Sequence, residues 1–148
     1  MHRLARIPNL LAVLAVCSAI MLTGCSPAGP TWVETGGSYT TTNLATLYAK
    51  ADIGALASEP SSNATKLRHD AVTGLRRRGG AAAAAADLIT KTLPADTRGV
   101  PVYVEKATVG GQPALVIIEA TGPATGKLTT KRLWALSDSG AVLFVGTH

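Results

Sequence analysis

The stretch ALVIIEA (residues 114–120) is apolar at all but one position, so both faces of an extended chain would be apolar there. This pattern is typical of a strand buried on both sides in the middle of a sheet. Gly110-Gly111 lies before the stretch and GPATG (residues 122–126) follows it, and both sequences mark turns. The stretch therefore predicts a central strand between two turns.

Three further short segments around this stretch have strand character. VPVYVEK (residues 100–106) has valine at alternate positions, which is the period of a half-buried strand. TKRLWAL (residues 130–136) and AVLFV (residues 141–145) are separated by the turn sequence SDSG (residues 137–140). Four strands at such short intervals predict an antiparallel meander.

Helical periodicity dominates the region before the strands. In NATKLRHDAVTGLRRR (residues 63–78), apolar side chains recur every four residues. Gly79-Gly80 ends this helix, and the alanine-rich AAAAAADLITKTL (residues 81–93) predicts a second one that packs against it. NLATLYAKADIGALAS (residues 43–58) has weaker helical spacing and predicts a third helix, with part of a flexible tether as the alternative.

The order of these segments predicts a single α+β domain over residues 43–148. In this domain, two or three N-terminal helices pack on one face of a four-stranded antiparallel meander. Residues 25–42 are rich in Pro, Gly, Ser and Thr and poor in aliphatic side chains. Such a composition buries little apolar surface and predicts a flexible tether.

The first 24 residues have the layout of a secretory signal peptide. Arg3 and Arg6 give a positive start, a 13-residue apolar stretch occupies residues 10–22, and Thr23-Gly24 supplies small residues before a cleavage point. The apolar stretch is shorter than the roughly 20 residues that a membrane-spanning helix needs. We therefore expect an exported protein without a transmembrane helix.

Leu22-Thr23-Gly24-Cys25 resembles the lipobox of bacterial lipoproteins, with a leucine, two small residues and a cysteine. The resemblance implies that residues 1–24 are a lipoprotein signal peptide and that the Cys25 sulfur carries a diacylglyceryl group. It also implies anchoring at the extracytoplasmic face of the cell membrane, since two acyl chains hold stably where one holds only marginally. An ordinary cleavable signal with a chance cysteine is the alternative.

Cleavage would remove Cys17 and leave the acylated Cys25 as the only cysteine. A disulfide framework, a thiolate metal site and a cysteine nucleophile are then excluded. No ligand set of workable spacing surrounds His69 or His148, so we expect no metal and no cofactor. Loss of the two signal-peptide arginines lowers the formal net charge from +5 to +3. That charge, with six scattered aromatic residues in the mature chain, predicts no nucleic-acid partner.

Arg76-Arg77-Arg78 is the densest cluster of charge in the chain. At the carboxyl end of a predicted helix, these guanidinium groups could contact a phosphate, an anionic envelope polymer or lipid headgroups. The alternative is that they compensate the helix dipole and keep the protein soluble. Arg76, Arg77 and Arg78 are therefore candidates for anion or headgroup contact.

His69-Asp70 could begin a hydrolase site together with a serine. Adjacent helical residues point about 100° apart, so these two side chains do not face each other, and the chain has no nucleophile-elbow sequence. TGPATGKL (residues 121–128) also lacks the spacing of a phosphate-binding loop. We expect no catalytic residues and no enzymatic activity. An unrecognised envelope hydrolase is the alternative, and it would show a deep polar pocket around His69.

Several segments of the carboxyl half follow the plan of one known domain type: Val102-Tyr103-Val104-Glu105, Gly111-Gln112-Pro113, and residues 132–142. Together they resemble PepSY-type domains, which are small exported modules often found on lipoproteins. Members of that family end in D-x-x-T-G-x-V, whereas Ser139-Gly140 follows Asp138 directly in this chain. The resemblance implies a regulator of an exported peptidase.

These features predict a membrane-anchored lipoprotein with a non-catalytic binding or accessory domain at the cell envelope. Its expected partners are the membrane, through lipidated Cys25, and an envelope protein or anionic polymer. The alternatives are the PepSY-like peptidase regulator and the envelope hydrolase.

Overall fold

The computed structural model of the protein describes residues 29–95 and 98–148. The predicted signal peptide and Cys25 lie outside the described residues. The elements in chain order are β1 Thr31–Val33, β2 Ser38–Tyr39, the 3₁₀ helices Leu44–Lys50, Gly54–Ser58 and Ser61–Asn63, α1 Ala64–Arg78, α2 Gly80–Thr92, β3 Val100–Val109, β4 Gln112–Thr121, β5 Thr130–Ser137 and β6 Val142–Thr147.

The strands form one mixed sheet in the order β1-β3-β4-β5-β6, with β2 also paired to β3. β3 to β6 are antiparallel neighbours, so the four predicted strands are present as a meander. β4 is one of the two interior strands of that meander, and its residues 114–121 are all buried. The sheet is larger than predicted because β1 and β2 add to it, and both run parallel to β3.

Both strongly periodic helices are present within two residues of their predicted bounds. Gly79 separates them with a φ of +73°, a left-handed conformation that glycine adopts without a steric penalty. Alternate residues of β4, Leu115 and Ile117, belong to the same buried cluster as Leu75 of α1 and Ile89 of α2. We call this side of the sheet the α face.

The predicted helix over residues 43–58 is wrong in type. The structure has two short 3₁₀ helices there, and Gly54 starts the second with a φ of +53°. Leu44 and Leu47 belong to a buried cluster with Val116 and Ile118, the β4 residues on the side opposite the α face. Helical elements therefore contribute to clusters on both faces of the sheet, because β4 is apolar on both and each face must be buried.

The predicted tether over residues 25–42 is wrong for Thr31–Val33 and Ser38–Tyr39. Both stretches pair with β3, and backbone hydrogen bonds join Gly36 N–H to the Lys106 carbonyl at 2.9 Å and Gly110 N–H to the Tyr39 carbonyl at 2.8 Å. A strand edge needs backbone partners rather than apolar side chains, so composition alone missed this pairing. We call residues 29–42 the N-terminal segment.

Candidate functional site

A cleft of about 490 Å³ lies between α2 and the β3–β4 hairpin. We call it the α2 cleft. Its walls are mostly apolar, and the main contributors are Ala81, Ala84, Ala85, Leu88, Pro113 and Leu115. An alanine side chain is a single methyl group, so the alanine run leaves space between the helix and the hairpin that larger side chains would fill.

The charged residues of the α2 cleft are two lysines and two aspartates. The Asp87 carboxylate already has a cationic partner, because Arg76 Nε donates to Asp87 Oδ1 at 3.0 Å. Lys91 and Lys106 are exposed, and within the described residues the side-chain ammonium group of neither has a hydrogen bond or an ion pair. The free charges at the cleft are therefore two ammonium groups against the one carboxylate of Asp138.

The α2 cleft can bind but has few groups for catalysis. Its lining includes no serine, cysteine or histidine, so it has no hydroxyl or thiol nucleophile paired with an imidazole base. Among residues 29–95 and 98–148, no group of three or more His, Cys, Asp or Glu side chains could hold a metal ion. The arrangement fits a ligand with an apolar body and a negative group.

A second cleft, of about 360 Å³, lies where the described chain begins. Gly29, Pro30 and Thr31 form part of its wall, together with Leu67 and Asp70 of α1. Asp70 accepts a hydrogen bond from Lys66 at 2.8 Å, and this hydrogen bond lowers the pKa of the Asp70 carboxyl. The negative charge of Asp70 is thus already paired with the ammonium group of Lys66 on the same helix.

Glu119 is the centre of a buried ionic cluster on the α face, and its side chain is fully buried. Oε1 accepts from Arg68 Nη1 at 2.8 Å, and Oε2 accepts from Arg132 Nη2 at 2.9 Å and from Trp134 Nε1 at 2.8 Å. Arg68 also donates to the carbonyls of Leu93 and Gly99. One guanidinium group therefore joins α1 to β4 and to the segment between α2 and β3.

Gly99 is required by this cluster for steric reasons. A Cβ at that position would lie 2.5 Å from the Glu119 carboxyl carbon, well inside van der Waals contact. The backbone before β3 can approach the carboxylate only because residue 99 has no side chain.

Glu105 is the centre of a second buried cluster, on the opposite face of the sheet. Its Oε1 accepts from Gly37 N–H at 2.7 Å and from Tyr39 Oη at 2.9 Å, and its Oε2 accepts from Tyr103 Oη at 2.5 Å. Lys50 Nζ lies 3.9 Å from Oε2. Burial, and then the hydrogen bond to Glu105, raise the pKa of the Tyr103 phenol. The carboxylate thus fastens the N-terminal segment to β3.

Neither glutamate was singled out in the sequence as a candidate. Each is an isolated carboxylate in an otherwise apolar strand, in VYVEK and in LVIIEA. Since buried charges occur with partners, such an isolated acid was a usable signal for a buried pair. The partners themselves were not readable, because Arg68 is 51 residues from Glu119 and Tyr39 is 66 residues from Glu105.

The predicted hydrolase pair is not brought together. His69 is exposed on α1 and lines neither of the two clefts described above, whereas Asp70 lines the second cleft and bonds to Lys66. The deep polar pocket that a hydrolase would need around His69 is thus not among the described clefts.

The three candidate arginines have different surroundings. Arg76 bonds to Asp87 and Thr90 of α2, so it fastens the two helices together. Arg78 Nη2 donates to the Pro30 carbonyl at 3.1 Å and holds the N-terminal segment against α1. Arg77 is exposed and, within the described part of the chain, has no such bond. Two of the three guanidinium groups are therefore already engaged inside the protein.

Comparison with models of known protein families, with curated proteins and with solved structures found no match. Among the residues that the structure describes, no helix has both the length and the apolar character needed to cross a bilayer.

Proposed function

We propose that the protein is a lipid-anchored, non-catalytic binding module at the extracytoplasmic face of the cell membrane. We propose further that its ligand is a single-chain anionic amphiphile bound in the α2 cleft. The observation that carries the binding proposal is the pairing of apolar walls with the two unpartnered ammonium groups of Lys91 and Lys106.

The anchor is supported by the lipobox sequence and by the distance over which it would act. Four residues separate Cys25 from the buried Pro30, and an extended chain covers about 3.3–3.6 Å per residue, so the five steps span at most about 18 Å. A lipid-anchored domain would stay this close to the headgroups. A ligand cleft so placed would have access to molecules that leave or enter the membrane surface.

The ligand class follows from the lining of the α2 cleft. A volume of about 490 Å³ falls within the usual range of small-molecule sites, and the apolar walls favour a hydrocarbon body. A carboxylate or phosphate at one end of the ligand would meet Lys91 and Lys106, each contributing a charge-assisted hydrogen bond. A neutral molecule of the same size would leave both ammonium groups without partners.

Binding of laurate, measured by calorimetry on the mature protein, tests the cleft. Ala84→Leu should weaken laurate binding by about tenfold or more, because the added methylene groups occupy space that a ligand chain would fill. Ala84 is exposed on α2 and leucine is a good helix former, so the fold should be kept. Ala49→Leu, at an exposed position outside the cleft, is the matched control and should bind like the wild type. Equal binding by Ala84→Leu, or no binding by the wild type, would overturn the ligand proposal.

Metabolic labelling with an alkyne analogue of palmitate tests the anchor. Cys25→Ala should lose the label completely and should either stay as the precursor or leave the membrane fraction. Cys17→Ala is the matched control, since it changes the other cysteine, and it should be labelled like the wild type. A Cys25→Ala protein that is processed and still sediments with membranes would contradict the anchor while leaving the cleft test unaffected.

The two other functions proposed from the sequence remain separable by experiment. A PepSY-like regulator should co-purify with an exported peptidase or change its activity. An envelope hydrolase should lose activity on replacement of His69, yet the exposed His69 and the Lys66-bound Asp70 supply no acid–base pair for it. The binding module therefore has the better support.

A further inference from the structure

β6 is an end strand of the sheet, so one side of its backbone has no strand partner within the described residues. Its sequence VLFVGT contains no charged residue and no proline. Soluble proteins usually protect such an edge with lysine, proline or a covering element, because unpaired strand edges recruit other strands. β6 lacks the first two protections.

The exposed large hydrophobic residues of the described chain are both on this strand. Val142 is 50% exposed and Val145 is 51% exposed. Exposed apolar side chains are common as single residues, but two on one unpaired edge strand mark a contact surface.

A register irregularity places the two valines on the same face. Val145 pairs with Trp134 and Val142 pairs with Leu136, and Trp134 and Leu136 both contribute to the α-face cluster. The extra residue in β6 between these pairs is Leu143, which contacts the opposite cluster together with its neighbour Phe144. Without this irregularity, positions 142 and 145 would face opposite sides, since side chains alternate along a strand.

This arrangement is self-complementary. In an antiparallel pair of two β6 strands related by a twofold axis, Val142 of one copy lies opposite Val145 of the other. Leu143 then lies opposite Phe144 on the other face of the joined sheet. These central cross-strand pairs are thus apolar, and no like charges meet although the mature chain carries a formal net charge of +3.

We infer that β6 is a dimerisation edge, at which a second copy of this chain pairs antiparallel through its own β6. The second copy is favoured over another protein because one strand supplies both halves of the complementary pattern. The inference goes beyond the proposed function and does not depend on the anchor, although anchoring in a membrane would raise the effective concentration of the two copies.

Sedimentation of the mature, detergent-solubilised protein tests the oligomeric state. The wild type should be a dimer, and Val145→Lys should be a monomer with an unchanged circular dichroism spectrum, since a charge on the edge opposes strand addition. Thr31→Lys, at an exposed position on the opposite edge of the sheet, is the matched control and should remain a dimer. A monomeric wild type, or a Val145→Lys protein that is still dimeric, would overturn the inference.

Disulfide cross-linking tests the register with cysteine variants, which disturb the fold less than Val145→Lys does. Directly opposite residues in an antiparallel pair have Cα atoms about 4.5–5.5 Å apart, which a disulfide can span. Membranes containing both Val142→Cys and Val145→Cys chains should give mixed dimers on oxidation, and membranes containing either variant alone should give few. Dimers of equal yield in the single-variant membranes would refute this register. Dimers of the wild-type chain would instead report a free Cys25 thiol, and hence a failure of the anchor proposal.

Discussion

Replacing Glu119 with alanine is expected to lower the free energy of unfolding by about 3–5 kcal/mol, because the change removes one member of a buried ion pair. Arg68 is 9% exposed, and its Nη1 atom lies 2.8 Å from Glu119 Oε1. The indole N–H of Trp134 would lose its acceptor as well. Urea unfolding followed by tryptophan fluorescence measures the loss, which for so small a domain amounts to a large part of its stability.

Two further variants separate the ionic effect from a general packing effect. Asp70→Ala removes the carboxylate of an exposed ion pair on α1 and should leave the unfolding midpoint nearly unchanged. The double variant Arg68→Met/Glu119→Leu should regain much of the loss, since apolar residues of similar volume often replace a buried ion pair without penalty. An unchanged midpoint for Glu119→Ala would show that the cluster does not stabilise the fold.

Glu105→Ala is expected to lower the free energy of unfolding by about 2–4 kcal/mol. The change removes the acceptor of the Gly37 N–H group and of the Tyr39 and Tyr103 hydroxyl groups. Hydrogen exchange should show a local effect as well. The amides of Thr108 and Gly110 donate to the Gly37 and Tyr39 carbonyls, so both should exchange faster when the N-terminal segment detaches.

The matched control for this prediction is Glu34→Ala, because Glu34 is an exposed glutamate on the same segment. It should change neither the midpoint nor the exchange of these two amides. Tyr103→Phe removes one of the three donors and should cost about 1 kcal/mol. If the Thr108 and Gly110 amides of the Glu105→Ala protein exchanged at the wild-type rate, the N-terminal segment would be held by its backbone pairing alone.

The two buried glutamates fasten different elements to the central strands of the sheet. Glu119 joins α1 to β4 on the α face, and Glu105 joins the N-terminal segment to β3 on the other face. The second attachment bears on the proposed function, because four residues of the sequence separate Cys25 from Pro30 in this segment.

The helices α1 and α2 and the strands β3 to β6 were predictable from the sequence by itself. Each has a local cause: apolar side chains every four residues in 63–78, the alanine run before residue 93, and the apolar stretch 114–120 between turns. Local periodicity and turn residues are properties of neighbouring positions, so a single sequence contains them. The tetrapeptide Leu22-Thr23-Gly24-Cys25, which resembles a lipobox, is local in the same sense, and the proposed localisation of the protein depends on it.

Contacts between distant residues were decided only in the tertiary structure. The N-terminal segment has the composition of a tether and becomes part of the sheet because β3 offers it an open edge. The 3₁₀ helix Leu44–Lys50 packs at the face that α1 and α2 leave uncovered. In the arginine triplet, Arg76 bonds to Asp87, Arg78 bonds to the Pro30 carbonyl, and Arg77 is exposed to solvent. In each case the deciding partner lies far away along the chain, and burial and hydrogen-bond pairing between such residues depend on the folded arrangement rather than on local sequence.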